Sequence, residues 1–203
     1  MLLLGFCTAG MVVKKISAMN SRISSFLGGN SGAWRVTRMD TIIGEPLPAV
    51  RFVMIVPGAV SEGDAAWILR GITSNERYVT RDEKSELVAK QEGLGRPAAR
   101  CAALIPIKKS AAWWTLSQDD RRKIFEEQST HIKIGMGFLP AIARRLHHCR
   151  DLGSAEPFDF LTWFEYAPSD AAAFDDLTAQ LRGSPEWGFV TREIDIRLEL
   201  SGV

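Results

Sequence analysis

Towards the end of the chain, Ile194, Ile196, Leu198 and Leu200 alternate with Glu193, Asp195, Arg197 and Glu199. Successive side chains on an extended strand point to opposite faces, so this period of two commits residues 187–200 to a sheet, with one apolar and one wet face. The chain before it narrows the choice further. Residues 158–166 are rich in aromatic side chains and read as a strand, and Ser169 or Asp170 then caps a helix that runs to Gly183. Strand, helix, strand is therefore the C-terminal unit.

A related unit is expected upstream. Residues 51–56 form a buried-strand candidate closed by Pro57-Gly58, residues 64–72 read as a short helix, and residues 76–83 resume strand character. Leu69-Arg70-Gly71 followed by Tyr78-Val79-Thr80-Arg81-Asp82 is echoed by Leu181-Arg182-Gly183 followed by Phe189-Val190-Thr191-Arg192-Glu193, with spacings that differ by one residue. The echo points to two related α+β halves forming one sheet system, residues 34–97 and 98–203, with Gly93, Gly95 and Pro97 in the boundary loop. Residues 98–107 are a further strand that ends at Lys108-Lys109. Ser117, with Asp120 three residues on and Ile124 and Phe125 beyond, starts an amphipathic segment, so helices within 117–150 are expected to lie on the second half. The Ser-, Gly- and Asn-rich residues 20–33 read as a flexible lead-in. A tail over 1–33, with the first ordered strand near Trp34, follows from that.

Broad classes of partner are excluded by charge. The net charge is +1 with both signs mixed along 203 residues, which gives no basic field for nucleic acid and no polybasic patch for a membrane. Any anion must be bound locally. Cys7, Cys101 and Cys149 are scattered and odd in number, which fits a reducing compartment and offers no C-x-x-C pair. Residues 2–13 are apolar, but Lys14-Lys15 follow rather than precede them, the reverse of a signal peptide, and the run is too short to span a bilayer. Met11 and Met19 offer later starts. A cytoplasmic protein is expected, with a periplasmic one as the alternative.

All three histidines fall within residues 131–151. His131 has an ordinary structural reading, but the small and apolar Ile134, Gly135 and Gly137 after it leave room for a flat ligand, and an imidazole presented from a helix is the usual axial ligand of haem iron. His147 and His148 point about 100° apart if helical, so they cannot share a metal ion and read as helix-end residues meeting carbonyls. Arg144 and Arg145 read either as cations at a helix C-terminus or as an anion site. On a straight helix His131 and Arg144 would stand roughly 20 Å apart. Gly135, Gly137 and Pro140 can bend that path and bring them to opposite sides of one ligand. A guanidinium about 5 Å from an anion, at an effective dielectric near 20, contributes on the order of 3 kcal/mol, roughly a hundredfold in rate. Trp113 and Trp114 beside Lys109 are either core and rim or a wall in which an indole stacks on a macrocycle while the lysine meets a carboxylate substituent. Phe158, Phe160, Thr162, Phe164 and Tyr166 share one strand face, which is core or the lining of an apolar cavity. Glu186 is a candidate acceptor for the N–H of a ligating imidazole.

The blocks Ile105-Pro106-Ile107-Lys108-Lys109, Trp113-Trp114, Phe125-Glu126-Glu127-Gln128-Ser129-Thr130-His131, 139–153 and 158–165, in this order, resemble the chlorite dismutase family in its short-chain branch. The resemblance implies a dimeric α+β barrel of two ferredoxin-like halves, the N-terminal one shortened, with haem b, one per subunit, in the C-terminal half. It implies His131 as the iron ligand, Arg144 as the distal arginine, and Lys109, Trp113 and Trp114 around the haem and its propionates. Thr162 and Phe164 match the distal wall, and Glu186 best matches the carboxylate partner of the ligating histidine, at a spacing a few residues longer than the family's. The implied reaction converts chlorite to chloride and dioxygen, with Arg144 holding the oxidised chlorine fragment until dioxygen forms. Two alternatives share the scaffold: a coprohaem decarboxylase of haem synthesis, a group that usually lacks the distal arginine, and a non-catalytic haem-binding protein.

Overall fold

The computed structural model describes residues 22–61, 63–73, 79–153 and 155–202. The apolar run 2–13 and Tyr78 of the echo lie outside them. In chain order the strands are β1 (Ile23–Gly29), β2 (Trp34–Ile43), β3 (Phe52–Pro57) and β4 (Trp67–Ile72), followed by helix α1 (Arg81–Lys90) and strand β5 (Cys101–Lys109). Two short helices follow, α2 (Ala111–Thr115) and α3 (Gln118–Arg122), then a π-helical turn (Lys123–Gln128) and α4 (His131–Gly137). The chain closes with β6 (Ala143–His148), β7 (Phe160–Tyr166), α5 (Ala171–Arg182), a 3-10 turn (Pro185–Phe189) and β8 (Val190–Leu200).

The eight strands form a closed antiparallel barrel in the order β1-β3-β2-β8-β5-β7-β6-β4. Each half supplies its strands in the local order fourth, first, third, second: β4-β1-β3-β2, then β8-β5-β7-β6. That is the ferredoxin-like order, met twice. Among the described residues no helix joins β1 to β2 or β3 to β4, so the first half is shortened to bare strands. The halves meet where β2 runs along β8 and where β4 touches β6 through Ile72 and His148. At that second seam a Cβ on Gly71 would lie 2.6 Å from the Cβ of His147, so only glycine lets the strands approach.

Several sequence expectations are corrected here. Residues 23–29 are not a flexible lead-in but strand β1, hydrogen-bonded on both sides to β3 and β4. Residues 64–72 are not a helix: Trp67–Ile72 is strand β4. Of residues 76–83, read as strand, the described ones turn into α1, where Thr80 caps Glu83 N and Glu83 caps Thr80 N in return. The two echo segments therefore occupy unlike elements, Leu69 to Gly71 on a strand and Leu181 to Gly183 at a helix end. The duplication lies in the strand order, not in those residues.

Two apolar cores are separated by the sheet. The barrel interior holds Phe26, Val53, Leu69, Leu104, Trp163 and Ile196. The second core lies outside the barrel, where Ile105, Phe164 and Tyr166 meet Phe174, Leu177 and Leu181 of α5. The polar face of β8 is not wet along its middle. Glu193 and Asp195 are fully buried under α5, where Arg182 Nη2 lies 2.7 Å from Glu193 Oε1 and 2.9 Å from Asp195 Oδ2. Burial alone would raise the Asp195 pKa, but the guanidiniums of Arg197 and Arg182 hold the carboxyl below its ordinary range.

Candidate active site

The outer face of β5, β6 and β7 is the floor of a cavity open to solvent, and the chain from the π-helical turn through α4, together with α5, is its roof. Ile105, Ile107, Arg144, Leu146, Thr162 and Phe164 line the floor, while Phe125, His131, Leu181, Arg182 and Trp187 line the roof. A second compartment shares His131, Phe125, Leu146, Thr162 and Trp187, and reaches Lys109, Trp113, His148 and Glu186. Together they form one largely apolar slot.

His131 is presented by unusual local backbone. The π-helical turn ends at Gln128, and Thr130 adopts a left-handed conformation with φ 49° directly before His131. Both features are uncommon and concentrate at functional sites. Glu126 Oε2 accepts the Ile132 N–H at 2.7 Å, so a side chain of the π-helical turn satisfies an N–H at the start of α4. The imidazole stacks on Phe125, ring centroids 4.2 Å apart, and its Nδ1 lies 2.7 Å from Glu186 Oε2. That contact occupies Nδ1, so Nε2 is the ring nitrogen that could hold a metal.

Glu186 is 4% exposed and lies between Lys109 and His131: Lys109 Nζ donates to its Oε1 at 2.7 Å, opposite His131. Ser129 Oγ accepts the Glu186 N–H at 2.9 Å. Burial alone would raise the pKa of the carboxyl, but His131 and then Lys109 bring it down to about 2. Lys109 is itself pulled below its ordinary range by burial, an effect that Glu186 opposes. It is also held between the rings of Trp113 and Trp187, at 4.8 and 5.5 Å. The lysine thus faces Glu186, where a meeting with a carboxylate substituent was expected.

On the opposite wall the strand places Arg144, Leu146 and His148 on the cavity side. His147 turns into the barrel, its ring edge-on to Phe26 and its Nδ1 3.2 Å from Thr73 Oγ1. Residues 143–148 are strand rather than helix end, which corrects the reading of the His147-His148 and Arg144-Arg145 pairs. The bend between His131 and Arg144 is present: α4 ends at Gly137 and the chain turns over residues 138–142 into β6. A Cβ on Gly135 would lie 1.9 Å from Arg144 Nη1, so the guanidinium rests against the helix that carries His131. Thr162 and Phe164 face the same cavity. Phe158 does not, since it packs in the barrel core. Trp113 lines the second compartment, whereas Trp114 stacks on Phe160 and donates to Asp159 Oδ2 at 3.2 Å, outside both lining sets.

Sequence reasoning passed over Arg182, Glu193 and Trp187 as cavity residues. Trp187 Nε1 donates to Glu193 Oε2 at 2.8 Å, which links the wall to the buried charges under α5. The signal was the charged face of β8, taken for solvent-facing. Among the described residues no group of three or more His, Cys, Asp or Glu is placed to hold a bare metal ion. A single buttressed imidazole over an apolar slot fits a metal that brings most of its ligands in a macrocycle. Among the described residues no helix is long and apolar enough to cross a membrane.

The family model described as chlorite dismutase matches residues 59–198. A chlorite dismutase of Ideonella dechloratans is 34% identical over 125 residues, 61% of this chain and 41% of the relative, so the match spans less than half of that protein. The crystal structure of a dimeric chlorite dismutase from Nitrobacter winogradskyi is similar, with a TM-score of 0.82 and 52% identity over 88% of this chain and 99% of that one. A variant chlorite dismutase from Candidatus Nitrospira defluvii in complex with cyanide gives a TM-score of 0.62 at 16% identity, covering 91% and 92%, a likeness of fold alone.

Proposed function

This chain belongs to the chlorite dismutase family, and from that premise we propose that it is a haem b-dependent chlorite dismutase, acting as a homodimer with one haem per subunit, that converts chlorite to chloride and dioxygen. One observation carries the reading: His131, buttressed by Glu186, and Arg144 line the same cavity from opposite elements. The 52% identical relative is dimeric, which supports a dimer here.

His131 Nε2 would hold the haem iron, and Trp113, Thr162 and Phe164 would line the macrocycle. When bound, haem supplies the redox centre at which oxygen leaves chlorite. Glu186 accepts the Nδ1–H of His131, which fixes the ring and makes Nε2 more basic. Lys109, 2.7 Å from Oε1, balances the Glu186 charge and helps keep the buried carboxylate ionised. Arg144 brings a permanent positive charge to a largely apolar cavity and would hold the anion and the hypochlorite-level fragment against escape. All atoms of chlorite are accounted for in one chloride and one dioxygen.

An oxygen electrode tests the proposal. Haem-loaded protein given chlorite is expected to release dioxygen and chloride in equal amounts. Decarboxylation of coprohaem with peroxide, in place of dioxygen release, would move the chain to haem synthesis. Haem uptake with neither reaction would make it a binding protein.

A further inference from the structure

Arg96 sits in the loop that joins the two halves, outside the slot, yet its side chain reaches the turn between the two walls of the site. Its Nη1 donates to the Pro140 carbonyl at 2.8 Å, and its Nη2 to the Ala141 carbonyl at 2.8 Å and the Glu165 carbonyl at 3.3 Å. Glu92 balances the charge, with Oε2 2.9 Å from Nη1. Nε is buried and has no hydrogen-bond partner among the described residues. The neighbouring Gly95 N–H adds a second tie to this strand end, donating to Glu165 Oε2 at 2.6 Å.

The place of these contacts matters more than their number. Pro140 and Ala141 lie between the end of α4, which carries His131, and the start of β6, which carries Arg144. Glu165 pairs with Ala143, the residue before Arg144. One guanidinium thus pins the turn and the neighbouring strand together where the backbone of Arg144 begins its course across the floor. From these contacts we infer that Arg96 is a positioning residue for Arg144: by clamping the carbonyls of Pro140, Ala141 and Glu165 it sets where the Arg144 guanidinium stands relative to the helix of His131. A lysine cannot replace it, since one ammonium has no planar fork to span three carbonyls.

This inference rests on the haem reading above but not on chlorite turnover. The test uses haem-loaded protein and fluoride, a small anion that ligates ferric haem, with affinity read from the absorption spectrum. Arg96→Ala, Arg96→Lys, Arg144→Ala and the double variant Arg96→Ala/Arg144→Ala are compared. Arg96→Ala and Arg96→Lys are expected to weaken fluoride roughly fivefold while haem uptake is retained, and Arg96→Ala to add nothing once Arg144 is absent, the non-additivity of residues acting through one another. Equal effects with and without Arg144, or unchanged affinity in Arg96→Ala, overturn the inference and leave the proposed function standing. Coupling seen in a protein that releases no dioxygen sustains the inference and sinks the chlorite proposal. Wild-type protein that takes up no haem overturns both.

Discussion

The two halves of the barrel lay down their strands in the same order and differ in what covers them. Among the described residues the first half, β1 to β4, has no helix between its strands, which complete the barrel. In the second half the π-helical turn, α4 and α5 roof the outer face of β5, β6 and β7. That extra layer is where the cavity, the perturbed carboxylate and the buried ion pairs lie. The comparison teaches that the sheet supplies the frame, while the chemistry arises where one half keeps its helices.

Removing a charge from beneath α5 should expose the contrast most strongly. Arg182→Ala strips the fully buried Glu193 and Asp195 of a partner and is expected to cost roughly 3–5 kcal/mol, read by denaturant unfolding. A loss under about 1 kcal/mol would mean that α5 is held by its apolar face alone. The seam between the halves should respond to acid. Burial, with smaller contributions from Arg145 and His148, lowers the His147 pKa from 6.5 to about 4. In the window between those values the unfolded chain binds the proton and the folded one does not, so stability is complete above pH 6.5 and falls as the pH drops towards 4. The loss amounts to about 3 kcal/mol. His147→Gln should flatten that slope in unfolding measured from pH 7 to 4, and an equal slope in the variant would place the sensitivity elsewhere.

Within the site, Arg144→Ala should keep haem but lose roughly a hundredfold in chlorite turnover, the worth of one charge near an anion at moderate dielectric. A rate within a factor of about three of the parent would remove Arg144 from the chemistry. At the small end lies the exposed pair Arg35 and Glu199, between β2 and β8. Arg35→Ala should change stability by less than about 1 kcal/mol and leave turnover unaltered, which thermal unfolding and the same assay would check together.

Much of the second half was legible because its elements carry their own signals: a period of two along β8, and a helix that ends at Gly183, although Asp170 before it makes no side-chain cap. The first half was harder to read. Trp67 to Ile72 is a short apolar run, and periodicity alone does not separate a strand from a helix in such a run. Residues 23–29 resemble a linker because of their serines and glycines. Gly28 is nevertheless a packing residue, since a Cβ there would lie 2.1 Å from the Trp67 ring. The charges of β8 misled for a different reason: alternation reveals which residues share a face, not what lies over it. In the site, His131 and Arg144 were singled out from separated blocks in order and Glu186 only as a candidate beside Trp187, whereas the pairing of Lys109 with Glu186 spans 77 residues and leaves no local mark.

The most direct test of the account is haem titration of the wild-type chain beside His131→Ala, followed by absorption and electron paramagnetic resonance of the ferric form. The wild-type protein should take up one haem per subunit with an imidazole-ligated spectrum, and His131→Ala should lose that spectrum and regain it with added imidazole. An unaltered spectrum in His131→Ala would contradict the account at its base.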